Sequence, residues 1–409
     1  MLRLWRRKAP NGPPLLILDP ELNPTFQGGH NWSFFSELEQ ISRENNLEAA
    51  FYGNKRSPED RHRIAPFFET GCYLHEPQVR KWLEFPSEIT ACYEQLRVPP
   101  SSRIIVPTAA PWHLEGIVKL LDKRNDIRLA VGLLLPLEFW TRDQILLRKV
   151  GERLNVSLLA LKRLNAFIYT ESGEYHLLGR TVPFPVVLPP ISKRTSDTAA
   201  AFREIRDSGP KRPINFGYFG LPKPSKGFDL LCDYLNNGSA KEGLKFDFFL
   251  PEQPWLKEFN PKINSARVRI NNTTNIEMLR DMASVDVVLC FYDPCVYGRQ
   301  MSGIVFDALL LGKPLLLTKG TSLERFVNDV APGSAIAVDY SLAGLASALD
   351  LPAEAWVNAT RYAQKAANII SELKSGQRYL KTVFGCDAWW RTSARMLRRG
   401  MTMGCGTDN

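Results

Sequence analysis

The sequence predicts an α/β protein of two halves, each a doubly wound parallel sheet with helices on both faces. Short apolar runs alternate with amphipathic stretches of helical period over residues 15–188, and again over 215–338. A polar, proline-flanked segment at 191–213 separates the two series. The length, 409 residues, exceeds what one hydrophobic core usually organises.

In the first series, residues 15–19 (LLILD) form a short apolar run after Pro13-Pro14 and read as a buried strand. A turn-rich stretch ends at Gly28-Gly29. Phe34, Phe35, Leu38 and Ile41 then recur at helical spacing across 31–45. Strands are expected at 49–52, 103–107, 129–135 and 166–170, with a last apolar run at 186–188. Helices are expected at 114–121 and 139–164, the latter with Leu146, Val150, Leu154, Leu158, Leu161 and Leu164 on one face. The second series repeats the alternation. Strands are expected at 215–219, 246–250, 268–270, 285–291, 315–317 and 336–338, with helices at 227–235, 276–283 and 304–311 and a long helical region at the end. The domains are therefore placed at 1–190 and 214–385, joined by a linker at 191–213. A basic C-terminal helix or tail occupies 386–409. Ligands of such sheets bind at the carboxyl ends of the strands.

Composition narrows the classes. With 44% hydrophobic and 23% charged residues, the chain can bury a core and is not a disordered polymer. Its longest apolar stretches, 129–137 and 309–317, are interrupted by Gly and Pro and fall short of the roughly 20 residues a spanning helix needs. No apolar run suited to a signal peptide follows the basic N-terminus. The seven cysteines are scattered without a CxxC pair, and Cys290 and Cys295 have no matching cluster, which argues against zinc and for the cytoplasm. The net charge is +9. It gathers at the ends, in Arg3, Arg6, Arg7, Lys8, Arg391, Arg395, Arg398 and Arg399, beside Trp5, Trp389 and Trp390. This mixture suits an anionic membrane surface or simply solvated termini, whereas nucleic acid has no recognition motif in its favour.

Two segments carry chemistry. In the first, 219–229 (FGLPKPSKGFD), a strand ends at Gly220, and a loop with Lys223 and Lys226 opens a helix near Gly227. Backbone N–H groups at a helix start, aided by a lysine, suit a diphosphate. In the second, the strand VVLCF empties into YGRQMSG, a polar loop that opens a helix carrying Asp307 between Phe306 and Ala308. An acid in that apolar setting requires a partner, because an unpaired buried charge is costly.

This second block resembles the donor-site block of GT-B glycosyltransferases, especially the large retaining group called family four. That group shows a strand, an acid, a small-residue loop, a second acid eight positions on, and a phrase like EAMACGKPVV; here residues 307–316 read DALLLGKPLL. The 219–231 segment resembles the family's phosphate loop with Lys226-Gly227 in register, 321–324 (TSLE) resembles its later turn ending in Glu, and Gly28-Gly29 adds a fourth match. The resemblance implies two Rossmann-like domains facing a cleft. It also implies a nucleotide-diphosphate sugar as donor, a saccharide or lipid-linked acceptor, no metal or cofactor, and retention of configuration.

Residue by residue, the resemblance implies that Lys226 and Gly220 hold the donor diphosphate and that Asp307 meets the ribose hydroxyls. Ser302 and Gly303 bring backbone N–H groups to the phosphates or sugar, Glu324 counts among the donor-binding residues, and Gly28 and Gly29 let the first loop approach the donor. Two positions depart from the pattern. Arg299 stands where the first acid is expected, and Leu221 stands where an arginine usually follows the loop glycine. Arg299 is read as restoring the lost positive charge or as pairing with an acidic donor sugar.

An acid or base near the acceptor is expected from the first domain, with His113 and Glu138 as candidates near strand ends; the bland readings are a surface histidine and helix-start charge compensation. The 139–164 helix sets Arg142, Arg148, Lys149, Arg153, Lys162 and Arg163 against its leucines, which reads as a core helix with a cationic outer face or as a lipid-facing one. Two rival functions stay open: a nucleotide-sugar epimerase, and a catalytically degenerate subunit that positions a partner.

Overall fold

A computed structural model describes residues 13–22, 29–55, 64–71, 74–122, 124, 126–133, 135, 137, 141, 143–204, 214–237, 243–251, 266–270 and 274–385. In chain order the elements begin β1 (Leu15–Leu18), α1 (Gly29–Glu44), β2 (Ala49–Asn54), β3 (Ile64–Phe68), α2 (Glu76–Glu84), α3 (Pro86–Thr90), β4 (Arg103–Val106) and α4 (Pro111–Leu121). They continue with β5 (Arg128–Gly132), α5 (Gln144–Arg163), β6 (Phe167–Tyr169), β7 (Glu174–Leu177), β8 (Arg180–Pro183) and α6 (Lys193–Glu204). Then come β9 (Ile214–Phe219), α7 (Phe228–Asn236), β10 (Leu244–Leu250), β11 (Ala266–Ile270), α8 (Asn275–Ala283) and β12 (Val287–Cys290). The chain finishes with α9 (Pro294–Tyr297), α10 (Gly303–Leu310), β13 (Leu315–Thr318), α11 (Ser322–Val330), β14 (Ala335–Val338), α12 (Leu342–Leu349), α13 (Ala353–Lys374) and α14 (Gly376–Gly385).

Two six-stranded sheets result, in the orders β3-β2-β1-β4-β5-β6 and β11-β10-β9-β12-β13-β14, with every pairing inside them parallel. These are the same permutation written twice. In each, the direction of strand addition reverses beside the first strand, so the switch points lie between β1 and β4 and between β9 and β12.

In the second sheet, alternate residues serve opposite faces, and both faces are buried. Phe216, Tyr218, Phe246, Phe248 and Leu289 pack under α7 and α12, whereas Phe219, Phe249, Val288, Cys290 and Leu317 pack toward α8, α10 and α13. Pairing stacks the Phe219 and Phe249 rings at 4.7 Å and 2°. A strand buried on both faces reads as a continuous apolar run rather than an alternation, as VVLC and LLLT do here.

The chain divides into two compact units, residues 1–21, 46–188 and 377–409 in one, and 22–45 and 189–376 in the other. α1 therefore packs in the second unit although it follows β1. The buried Glu37 carboxylate accepts from Ser192 N at 2.6 Å and from Thr195 Oγ1 at 2.7 Å. Glu44, two turns on, accepts from Lys193 N at 3.0 Å and Arg194 N at 3.3 Å. The two carboxylates thus satisfy the free N–H groups at the start of α6. Gly376 leaves room for the Ile41 side chain, which a Cβ there would meet at 2.5 Å.

The expected linker at 191–213 thus carries a helix, α6, with Thr195 and Ala199 buried. Its polar sequence hides this because its apolar contribution is small and its N-terminus is capped by residues about 150 positions away. The apolar run at 186–188 makes one isolated bridge, Thr170 with Val186, in place of a strand. β3 was not expected, because Pro66 interrupts its pattern; an edge strand tolerates a missing N–H. α2, α3 and the β7–β8 hairpin are further additions, and the tail at 386–409 lies outside the described residues. α5 buries Leu146, Val150, Leu154, Leu158 and Leu161, and Asp143 caps it by accepting from Ile145 N and Leu146 N. Among the described residues no helix is long and apolar enough to cross a membrane.

Candidate donor site

At the second switch point the loop after β9 returns over the end of β12. Gly220 adopts φ 107°, a left-handed conformation that favours glycine. Pro224–Lys226 form one 3-10 turn, and Gly227, at φ 67°, is the N-cap of α7. A Cβ on Gly227 would stand 2.1 Å from the Phe291 carbonyl oxygen, so only glycine lets the loop approach β12 this closely. Tyr218 Oη donates to Leu221 O at 2.7 Å, Tyr340 Oη to Pro224 O at 2.8 Å, and Asp293 N to Ser225 O at 2.9 Å. The loop is fixed by its neighbours before any ligand arrives.

These fixings place the partly buried Lys226. Its ammonium lies beside Gly220, where an added Cβ would meet Nζ at 3.1 Å, and 5.4 Å from the Tyr292 ring centroid. Loss of water pushes its pKa down from 10.5 to about 8, with Lys223 adding to the fall and Cys290 opposing it. No carboxylate among the described residues pairs with it; its recorded partner is the Tyr292 ring. Tyr292 is fully buried, with its hydroxyl beside Ser302 and Cys290. The aromatic face partly compensates the charge. A desolvated ammonium without an anion is electrostatically ready for one.

Ser302 is the N-cap of α10 and makes no side-chain capping bond. Gly303 follows it exposed, and a Cβ there would meet nothing within 4 Å. The loop before them is clamped from α11: Ser322 Oγ contacts Tyr297 O at 3.0 Å and Gln300 O at 2.6 Å, and Arg325 donates to Gly298 O at 2.6 Å. Arg299 stands exposed on this loop.

Other expected site residues are differently employed. Asp307 does have the partner its apolar setting demands, Lys374 on α13, whose Nζ donates to Oδ1 at 2.9 Å. Both groups are largely shielded, with side chains 5% exposed for Lys374 and 18% for Asp307. Asp307 thereby ties α10 to α13, and a ribose hydroxyl would have to share its carboxylate. Glu324, in the first turn of α11, accepts from Gly320 N at 2.7 Å, a bond that steadies the start of that helix.

His113 is corrected more firmly. It is 1% exposed, its Nδ1 accepts from Tyr93 Oη at 2.6 Å, and its Nε2 faces Gly71 O at 3.2 Å. The Gly71 carbonyl can only accept, which puts the proton on Nε2. Burial pushes the ring down from 6.5 to about 4, so it stays neutral with both nitrogens engaged. This is a core histidine, with no free nitrogen for a substrate. Glu138 and Gly28 lie outside the described residues, and Gly29 begins α1.

The structure thus brings Gly220, Lys226 and Ser302 together around Tyr292, a residue the sequence reading passed over. Its signal was its place, two residues beyond a buried strand. Lys374 gave no local sign, being 67 residues from the acid it meets.

No protein-family model matches the chain, and no curated protein matches it. Solved structures match across nearly all of it. The α,α-trehalose 6-phosphate synthase of Burkholderia multivorans has a TM-score of 0.55 at 12% identity, covering 97% of this chain and 100% of that one. The sucrose-phosphate synthase of Thermosynechococcus elongatus has a TM-score of 0.56 at 11% identity, covering 96% and 100%. HepE of Anabaena, solved with UDP, has a TM-score of 0.53 at 15% identity, covering 95% and 99%. This is the GT-B fold. At such identities the likeness carries the GT-B scaffold, and the chemistry rests on the side chains this chain sets upon it, Lys226 first.

Proposed function

We propose that the protein is a glycosyltransferase that moves a sugar from a nucleoside-diphosphate donor to a saccharide or lipid-linked acceptor. The observation that carries this reading is the desolvated ammonium of Lys226, which no carboxylate among the described residues pairs, at the second switch point of a GT-B scaffold. The solved neighbours lend support: HepE is recorded with UDP and glucose, and a related trehalose-phosphate synthase with glucose-6-phosphate.

In the reaction proposed, the bond between the sugar's anomeric carbon and the β-phosphate oxygen breaks, and the acceptor oxygen bonds to that carbon. The acceptor proton passes to the departing phosphate oxygen, which needs no protein base and delivers retention when attack and departure share one face. Lys226 and the N–H groups at the start of α10 stabilise the negative charge that gathers on the diphosphate. They supply this without a metal ion. Arg299, on the same loop as Ser302, adds a second cation for the donor.

The site is tested by incubating the purified chain with a panel of nucleotide sugars, with and without simple saccharides and lipid extracts, while measuring release of nucleoside diphosphate. Release from one donor, increased by an acceptor, is the expected result. A second reading, a GT-B subunit that binds without transferring, is favoured by Asp307 and Glu324 being engaged within the protein. It predicts that nucleoside diphosphate raises the melting temperature while no donor is turned over. If no nucleotide sugar or nucleoside diphosphate shifts the melting curve at millimolar concentration, both readings fail.

A further inference from the structure

The outer face of α5, whose sequence reads either as the cationic back of a core helix or as a lipid-facing surface, carries exposed aliphatic groups as well as cations. Ile145, Val156 and Leu159 point outward and are 72%, 66% and 42% exposed. They share the outermost line of the helix with Lys149 and Arg163, also exposed. Glu152, the acidic group on that line, is neutralised by Arg148 at 3.0 Å. Lys149 and Arg163 have no ion-pair partner among the described residues. Leu178 adds a second observation. It occupies the two-residue turn of the β7–β8 hairpin at φ 53°, a conformation costly for leucine. Its side chain rests on α5 at Gly151, where a Cβ would meet it at 2.9 Å, and it is still 43% exposed. The chain accepts backbone strain there and leaves another aliphatic group beside the helix in water.

We infer that this face of α5 docks on an anionic lipid bilayer, the aliphatic side chains entering the acyl boundary and the cations meeting phosphate headgroups. Exposed aliphatics interleaved with unpaired cations along one helix line match a surface that is apolar at depth and negative at its rim. A protein partner of ordinary polarity would not need both, and nucleic acid would not need the aliphatics. The inference concerns the first unit and stands apart from the donor chemistry assigned to the second.

The experiment is vesicle co-sedimentation of the full chain. Vesicles of phosphatidylcholine alone are compared with vesicles containing phosphatidylglycerol, at low and at 0.5 M salt. The expected result is binding only with the anionic lipid, weakened by salt. The Lys149→Gln/Arg163→Gln variant should bind roughly 25-fold less, at about fivefold per cation. Val156→Ser/Leu159→Ser should lower binding to anionic vesicles with the salt dependence retained. Because these positions are exposed, circular dichroism should show both variants folded. The inference is overturned if neutral and anionic vesicles bind alike. It is overturned equally if both variants bind as the parent does, which would move the attachment to the basic termini. Nucleoside-diphosphate release is unaffected by either outcome, so failure here leaves the transferase reading separate.

Discussion

Replacing Lys226 by Met tests the central feature of the site because it must move stability and ligand affinity in opposite directions. The ammonium titrates near 8 in the folded protein against 10.5 in a free side chain. At about 1.36 kcal/mol per unit, the folded state carries a penalty of about 3 kcal/mol while both states are protonated, at pH values below 8. Between pH 8 and 10.5 the unfolded chain binds the extra proton, so stability rises with pH and the penalty is relieved. Lys226→Met removes the penalty at every pH. The variant should therefore be more stable than the parent at pH 7, by about 2–3 kcal/mol, and the difference should shrink toward zero as pH approaches 10. The assay is a thermal melt followed by tryptophan fluorescence, with a rise of roughly 5 °C or more expected at pH 7. Titration calorimetry with a nucleoside diphosphate should show affinity reduced roughly 10- to 100-fold, the worth of a charge-assisted hydrogen bond. A variant that melts at or below the parent at pH 7 and binds diphosphate equally well would refute the reasoning. The ammonium would then be neither strained nor waiting for an anion.

Three further outcomes follow from the same geometry. Lys374→Met leaves Asp307 shielded without its cation and should cost about 3–5 kcal/mol, whereas Lys374→Met/Asp307→Leu should recover most of it, as a double-mutant cycle of melts would show. His113 is neutral down to about pH 4 in the folded protein and 6.5 otherwise, so the unfolded chain gains the proton first as pH falls. Stability of the first unit should therefore decline from pH 6.5 to 4 by about 3 kcal/mol, and His113→Asn should remove much of that slope without shifting the pH profile of diphosphate release. Gly227→Ala must place a Cβ 2.1 Å from the Phe291 oxygen at φ 67°. It should abolish diphosphate binding in calorimetry even in preparations whose circular dichroism stays native.

The architecture was legible because both sheets are built from short, continuously apolar runs bounded by Gly and Pro, and such runs admit few alternatives to buried parallel strands. Lys226 was legible for a related reason: a strand, a glycine and a helix start within eight residues confine a lysine to the sheet's carboxyl edge. α6 escaped because its polar sequence contributes little to a core and its N-terminus is satisfied by Glu37 and Glu44. β3 escaped because Pro66 looks like a breaker until its edge position is known. His113 was misjudged because its place after β4 suggests a cleft, while only packing reveals Tyr93 and Gly71 on its two nitrogens.

By itself the sequence determined the twofold α/β plan, the strands that end beside Gly220 and Cys290, and the presence of a lysine where an anion could be held. These follow from interactions between residues near in sequence: strand propensity, helical period and the freedom of glycine. Only the tertiary structure decided which charges remain available. Asp307 and Lys374, 67 positions apart, neutralise each other. Glu324 accepts from Gly320 N just ahead of its own helix, and Lys226 meets an aromatic ring in place of a carboxylate. Charge pairing is settled by distances of a few ångströms between distant parts of the chain, and no local pattern contains them.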